Sequence, residues 1–326
     1  MIASPARTIS RSLSGFLCGT HSGALRSRRG ERLAPRALAS AHRRVEPAPS
    51  SSEVQLGAER WNPQGNAGGL AGRLASALDH EHVVELLLFG SQARGGTTGF
   101  SDVDAILVIA DHAAEDARLL GSLRRRALAA QRAVLAYQPM QHHGFEVATP
   151  RLLASATDAL ALPRVALSET RSLRGRSVMA RFAVADTAAQ GDQLRELATA
   201  LLGIESWPRH RWHAHRLVSM FELLPAVYLQ AQGEQVPKWQ SFARAEGDFG
   251  RAWWPYEVLR EVRSGWPPIQ GTGLRVAGSA FRNPWLAVAA RSRLPARIPE
   301  PVSRLLTADC LRGLQGVARR MLEGNS

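Results

Sequence analysis

Two apolar runs separated by a short segment with glycine and serine constrain the fold of this chain more than any other feature. The first run, residues 83–89 (VVELLLF), ends directly at Gly90 and Ser91. After ten intervening residues, an Asp-x-Asp sequence opens the second run, residues 103–109 (VDAILVI). Apolar runs of this length, bounded by turn residues, predict two buried strands. The segment between them is therefore a turn followed by a short helix, and the aspartates stand at the start of the second strand.

The residue types of this segment suit a triphosphate and a divalent cation. Gly90 permits a close approach of the backbone to a phosphate, and Ser91 can cap a helical turn whose free N–H groups attract anions. Because side chains alternate along a strand, Asp102 and Asp104 should share one face, with Val103 buried behind them. Two neighbouring carboxylates repel each other unless a cation lies between them, and oxygen ligands suit Mg²⁺. Either half alone would fit an ordinary turn or a solvated strand edge, but the combination at this spacing favours a functional site.

The sequences GSQARG (residues 90–95) and SDVD (residues 101–104) together resemble the signature of the DNA polymerase beta-like nucleotidyltransferase superfamily. In these motifs the chain is most similar to the minimal bacterial members and the antibiotic-modifying members of the superfamily. The resemblance implies an α+β fold with a mixed sheet flanked by helices. It also implies ATP or another nucleoside triphosphate as donor, two Mg²⁺ ions held by Asp102 and Asp104, and transfer of a nucleotidyl group with release of pyrophosphate. Gly90 and Ser91 would bind the β- and γ-phosphates.

Members of this superfamily also use a third carboxylate on a later strand, and Glu146 is the best candidate for it. Residues 142–148 are predicted to form a strand, which Thr149 and Pro150 end with a favourable start for a helix. Glu146 lies between two apolar residues, as the third acid usually does. Its role is either general base for the acceptor hydroxyl or ligand of the second metal ion, and the alternative is an exposed glutamate with no role. Asp158 is a distant second candidate.

Two cationic residues are candidates for contact with the phosphates. Lys238 is the only lysine of the chain, against forty arginines. A retained ammonium can reach a phosphate oxygen in a tight site where a guanidinium cannot, although a chance surface lysine is the alternative. Arg94 is the second candidate, and its alternative role is to support the loop.

Two histidine pairs have spacings that could suggest metal sites, and neither is predicted to be one. His142 and His143 are adjacent in a predicted strand and therefore face opposite sides. We expect one of them to line the site. His210 and His213 have helical spacing, but arginines surround them and no cysteine or acidic ligand accompanies them. We expect this second pair at a solvated or anion-facing start of a helix.

Length, charge and composition suggest a leader followed by two domains. Within 326 residues we expect a disordered basic leader and linker at 1–67, a nucleotidyltransferase domain at 68–150, and a mainly helical C-terminal domain at 151–326 that closes a cleft. Residues 1–50 hold nine arginines against two glutamates, a net charge of +7 out of +13 for the chain. The rest of the positive charge suits a triphosphate and is too diffuse to demand nucleic acid.

The composition of the leader can be interpreted in two ways with respect to the cellular location of the protein. Its many arginines and serines and few acids resemble a mitochondrial transit peptide. The whole chain, however, uses arginine in place of lysine, which is typical of a GC-rich bacterial genome, so we expect a bacterial cytoplasmic protein. Two cysteines cannot form a disulfide framework. No apolar run approaches the roughly 18 residues of a membrane helix, and we expect no membrane partner.

These observations together predict a magnesium-dependent nucleotidyltransferase, most simply one that moves AMP from ATP to a hydroxyl. The acceptor is a small molecule or a protein. A nucleic acid acceptor is not expected, because no basic surface interleaved with aromatic residues is evident. The alternative is a non-catalytic nucleotide-binding regulatory or antitoxin-like protein that keeps the fold, and a missing third carboxylate would mark it.

Overall fold

The computed structural model describes residues 5–18, 35–45, 52–95, 99–141, 143–155, 167, 169–182, 187–267 and 296–324. Contacts divide these residues into two units. The first unit contains the described residues up to 95 and those from 101 to 182, and the second contains 99–100, 187–267 and 296–324. The first unit therefore extends on both sides of the range 68–150 that the sequence predicts for the nucleotidyltransferase domain.

The described part of the first unit contains one larger mixed sheet and one two-stranded sheet. Its strands are β1 (Ser52–Leu56), β2 (Glu59–Arg60), β3 (Val83–Phe89), β4 (Asp104–Ile109), β5 (Glu146–Ala148), β6 (Arg171–Ser172) and β7 (Val178–Phe182). The strand order of the larger sheet is β2-β6-β3-β4-β5, and β1 pairs with β7 in the other sheet. β3 is antiparallel to both β4 and β6, whereas β4 and β5 run parallel. The two apolar runs of the sequence are thus neighbouring strands.

Helices cover this sheet, and alternating strand residues pack on its two faces. The helices of the first unit are α1 (Pro5–Cys18), α2 (Pro35–Arg43), α3 (Gly65–Ala77), α4 (Gly90–Arg94), α5 (Asp111–Ala114), α6 (Ala117–Tyr137) and α7 (Pro150–Ala154). Leu86 and Leu107 belong to a buried cluster with α1, α3 and α6. Leu87 and Ile106 belong to a second cluster with residues of β1 and β7. Because both faces are covered, β3 and β4 are apolar almost throughout.

Helix α1 lies along the outer edge of β5 and satisfies its backbone. The hydroxyl of Ser10 donates a hydrogen bond to the carbonyl of Val147 at 2.7 Å. The backbone N–H of Val147 in turn donates to the hydroxyl of Ser14 at 2.8 Å. An edge strand exposes unpaired N–H and C=O groups, and these two hydroxyls replace the missing neighbouring strand.

The expectation that residues 1–67 form a disordered leader is therefore wrong for the described parts of that range. Ile9, Leu13 and Leu17 are spaced four residues apart, so they form one stripe of α1 that packs into the core. The stripe is short, and the many arginines and serines around it resemble a basic tail. For this reason the composition alone does not reveal helix α1, which belongs to the first unit.

The described part of the second unit is helical. It contains α8 (Thr187–Leu202), α9 (Arg211–Ala231), α10 (Lys238–Phe249), a 3-10 turn (Gly250–Trp253), α11 (Trp254–Ser264), α12 (Glu300–Leu305) and α13 (Ala308–Glu323). Leu217, Phe221 and Leu224 are buried along α9, as their spacing predicts. The mixed sheet with helices and the helical C-terminal part confirm the predicted fold class. None of the helices in the described ranges is long and apolar enough to cross a membrane.

Candidate active site

The Gly-Ser turn begins directly beside the second aspartate. Phe89 and Asp104 are partners in the antiparallel register of β3 and β4, so Gly90 follows at the same place. Gly90 has φ +69°, and a Cβ atom built there would lie 2.6 Å from Oδ2 of Asp104. Only glycine accepts both this backbone conformation and this close approach.

Ser91 does not cap the following helix, contrary to the prediction. Helix α4 begins at Gly90, so Ser91 lies in its first turn and Phe89 takes the N-cap position without a side-chain cap. The glycine conformation turns the chain from strand into helix one residue earlier than expected. The hydroxyl of Ser91 is therefore not committed to capping, and a role toward phosphate remains a prediction.

Two glutamine side chains hold the backbone around the Asp-x-Asp sequence. The backbone N–H of Val103 donates to Oε1 of Gln141 at 2.8 Å, and Nε2 of Gln141 donates to the carbonyl of Val103 at 3.1 Å. Nε2 of Gln138 donates to the carbonyl of Ser101 at 2.6 Å. Because the Gln141 amide takes the place of a neighbouring strand here, β4 begins at Asp104, one residue later than predicted. Val103 is fully buried, as predicted.

His143 contacts the carboxylate of Asp104. Its Nε2 lies 3.0 Å from Oδ1 of Asp104, and the two side chains are 37% and 30% exposed. Burial by itself lowers the pKa of His143, but the hydrogen bond to Asp104 and the charges of Asp104 and Asp102 outweigh it and raise this pKa to about 10. The carboxylate of Asp104 is therefore balanced by an imidazolium that solvent can reach. The prediction that one residue of the first histidine pair lines the site agrees with this contact.

Glu146 lies on the same face of the sheet as Asp104. In the parallel register of β4 and β5, Glu146 is the partner of Ile106. Ile106 and Ala148 pack in one cluster, and since side chains alternate along strands, Asp104 and Glu146 share their face. Within the described ranges, however, no three His, Cys, Asp or Glu side chains form a group that could hold a metal ion. The sheet thus places these acids on one side without bringing three of them into a complete metal site.

The surroundings of Asp104 nevertheless fit a divalent cation. Carboxylate oxygens, which Asp102 and Asp104 both offer, are the ligands that Mg²⁺ prefers. Gly90 lets Oδ2 of Asp104 approach the Gly-Ser turn to a distance that any side chain would prevent. The positive charge of His143 on Oδ1 indicates that this carboxylate requires a cationic partner.

Arg94 and Lys238, the two predicted phosphate ligands, each pair with a carboxylate of their own unit. Nη1 of Arg94 lies 2.9 Å from Oε2 of Glu169, the kind of contact expected of an arginine that supports the loop. Nζ of Lys238 lies 3.6 Å from Oε2 of Glu222, a buried carboxylate that also contacts Nη1 of Arg263 at 2.7 Å. Lys238 thus helps to balance a buried charge, and phosphate binding by either residue remains a prediction.

The other candidates of the sequence analysis fall outside this geometry. His142 and Asp158 lie outside the described residues. His210 is the N-cap of α9, where its Nδ1 accepts a hydrogen bond from the backbone N–H of Trp212 at 3.2 Å. Gln138 and Gln141 were not predicted at all. The only signal for them is a pair of amide side chains in the polar turn between α6 and β5, and such turns are common.

The site therefore consists of a glycine turn packed against an aspartate at the start of the neighbouring strand of a mixed sheet. Residues 72–139 match the family model of the nucleotidyltransferase domain. The chain therefore contains a nucleotidyltransferase domain, consistent with the polymerase beta-like superfamily. The matched range includes Gly90, Asp102 and Asp104 but ends before Glu146. Neither the comparison with curated proteins nor the comparison with solved structures found a match.

Proposed function

We propose that this chain is a magnesium-dependent nucleotidyltransferase that transfers AMP from ATP to a hydroxyl of a small molecule or a protein. The family match supports nucleotidyl transfer as the general chemistry. The observation that carries the proposal is the position of Asp104, whose Oδ2 packs directly against Gly90 at the start of the Gly-Ser turn. A carboxylate at that place can hold the cation of a triphosphate whose phosphates meet the turn.

In this proposal each residue has a stated task. Asp102 and Asp104 hold Mg²⁺, Glu146 is either a further ligand or the general base, and bound Mg²⁺ would neutralise charge on the triphosphate. Gly90 and Ser91 receive the β- and γ-phosphates through the backbone and the hydroxyl. Gln141 fixes Val103 and thereby the spacing of the two aspartates on either side of it.

The transfer itself joins the acceptor oxygen to the α-phosphorus and breaks the bond from that phosphorus to the bridging oxygen of pyrophosphate. The acceptor hydroxyl loses its proton in this step, and Glu146 is the residue proposed to take it. Its place on the Asp104 face of the sheet supports this role and equally supports a role as ligand of a second metal ion. Pyrophosphate leaves with the electron pair of the broken bond.

Pyrophosphate release with ATP, Mg²⁺ and panels of hydroxyl acceptors tests the proposal. Asp104→Asn should lower the rate by about 100-fold or more, because it removes a negative charge that holds the Mg²⁺ of the triphosphate. Asp79→Asn, the same change at an exposed position after α3, is the matched control and should leave the rate unchanged. An Asp104→Asn protein with the wild-type rate would overturn the mechanism.

A second candidate function is a nucleotide-binding regulatory protein without transfer activity, of which an antitoxin-like protein is one form. The observation that favours it is the lack of a complete three-acid group within the described residues. Calorimetry separates the two functions. Binding of ATP with Mg²⁺, combined with no pyrophosphate release for any acceptor, would support the regulatory function.

A further inference from the structure

The contact between His143 and Asp104 occupies the carboxylate that the proposed function assigns to a metal ion. Nε2 of His143 approaches Oδ1 of Asp104 to 3.0 Å, which is hydrogen-bonding distance. The contact is therefore formed on the oxygen next to the one that faces Gly90. A carboxylate engaged in a charge-assisted hydrogen bond is less available to another cation.

The second nitrogen of the ring also faces an oxygen that can only accept, so both nitrogens donate and the ring carries a positive charge. Nδ1 of His143 lies 3.1 Å from the carbonyl oxygen of Gly144 and 3.4 Å from Nε2 of Gln141. The two hydrogens of the Gln141 amide already point to the carbonyls of Val103 and His143 itself. Nδ1 therefore donates to the carbonyl of Gly144, Nε2 donates to the carboxylate of Asp104, and the ring is an imidazolium.

We propose that His143 competes with the metal ion for the carboxylate of Asp104, so that this side chain sets the affinity of the site for divalent cations. The proposal rests on the proposed function, because it assumes that Asp104 is a metal ligand. The ring competes through its positive charge, which weakens the attraction of the carboxylate for a cation at Oδ2, and it can also turn away from Asp104 when a metal ion binds. Its 37% exposure gives it solvent into which it can turn.

The direction of the change in metal affinity separates this role from a purely structural one. A structural histidine would stabilise the fold, and its removal would weaken the site. A side chain that competes with the cation does the reverse, since its removal frees the carboxylate and strengthens metal binding. The competition affects metal affinity in the absence of nucleotide and acceptor, so it can be measured without any transfer reaction.

The experiment is a titration with Mn²⁺, followed by electron paramagnetic resonance of the free ion, on the full chain without nucleotide. His143→Ala should bind Mn²⁺ roughly tenfold more tightly than wild type, the effect of losing one partly exposed charge-assisted hydrogen bond. His143→Gln, which keeps an amide donor but no charge, should bind about threefold more tightly. This second variant also serves if the alanine variant fails to fold. His112→Ala, at an exposed histidine of α5, is the control and should match wild type.

The outcomes distinguish this inference from the proposed function. If folded His143→Ala and His143→Gln proteins bind Mn²⁺ as tightly as wild type or more weakly, and the binding still depends on Asp104, only the proposed role of His143 is overturned. Binding that survives Asp104→Asn overturns the metal site as well. As an independent readout, saturating Mg²⁺ should shift the ring proton resonances of His143 and leave those of His112 in place. A His143 ring that does not respond to Mg²⁺ contradicts the proposal.

Discussion

A carboxylate lies near each end of strand β3, and the two are balanced in opposite ways. Near the start, Glu85 is fully buried and accepts hydrogen bonds from three backbone N–H groups, those of Leu86, Arg174 and Arg176, at 2.8 to 3.0 Å. At the far end, Asp104 is 30% exposed, and within the described residues its carboxylate pairs with the side chain of His143.

The difference teaches how a carboxylate can serve stability or chemistry in the same sheet. Backbone N–H groups cannot leave, so the charge of Glu85 is permanently compensated and links β3 to the segment that follows β6. The imidazole of His143 is a side chain within reach of solvent, so the charge of Asp104 can be given a different partner. We therefore expect changes at Glu85 to affect folding and changes around Asp104 to affect function.

The largest expected effect on stability is at the Glu85 end. Glu85→Ala leaves three N–H groups without their acceptor and should lower the free energy of unfolding by about 3–5 kcal/mol. Urea denaturation measures this loss. Glu81→Ala, at a side chain that is 82% exposed, is the control and should change stability by less than about 0.5 kcal/mol. A Glu85→Ala protein as stable as this control would show that the buried network is not what holds this end of the strand.

The next effect contrasts two glycines that share a backbone conformation. Gly90 and Gly95 have φ values of +69° and +78°, but a Cβ at Gly90 would meet Asp104, whereas a Cβ at Gly95 would meet nothing within 4 Å. Each alanine variant should lose about 1–2 kcal/mol of stability from the left-handed conformation. Gly90→Ala should in addition lower nucleotidyl transfer by about tenfold or more, because it displaces the Asp104 carboxylate.

Transfer rates and urea denaturation of both glycine variants check this expectation. Equal activity of the two variants would mean that the approach of Gly90 to Asp104 has no functional importance. In that case the turn would matter only for the direction of the chain.

The sequence predicted the parts of the fold whose signal is local. The runs at 83–89 and 103–109 are long and apolar, and the helix at Thr187–Leu202 has the predicted bounds. Strand β5, in contrast, keeps only three of the six described residues in the predicted range 142–148, because it is an edge strand whose outer partner is helix α1 rather than a strand. For the residues of helix α1, the composition predicts a disordered tail instead.

In the candidate site, too, features with a local sequence signal were predicted, and features that depend on distant contacts were not. The spacing of Gly90, Asp102 and Asp104 indicated the nucleotidyltransferase signature, and the family match covers it. The support for that signature could not be predicted, because Gln141 bonds to Val103 across 38 residues of sequence. A single sequence does not show which distant amide reaches which backbone group.

A smaller effect is expected at Gln141, the residue that supplies this support. Gln141→Ala removes both hydrogen bonds to Val103 and one to the carbonyl of His143, which should lower stability by about 1–2 kcal/mol and the transfer rate by roughly tenfold. Gln240→Ala, at an exposed position of α10, is the matched control for both measurements. If Gln141→Ala lost stability but kept the wild-type rate, Gln141 would belong with Glu85 as a purely structural residue.

The smallest expected effect concerns the edge of the sheet next to Glu146. Ser14→Ala removes the acceptor of the Val147 N–H, a buried group, and should cost about 1 kcal/mol of stability. Ser76→Ala, at an exposed position of α3, measures the gain in helix propensity that any serine-to-alanine change brings, so the difference between the two variants isolates the contact with β5. Because the hydrogen bond of Ser14 is to the backbone of β5, the transfer rate should stay within about twofold of wild type. A Ser14→Ala protein as stable as Ser76→Ala would show that helix α1 is not needed to satisfy this edge. A large loss of activity at unchanged stability would instead mean that the edge of β5, like Asp104, serves function rather than stability.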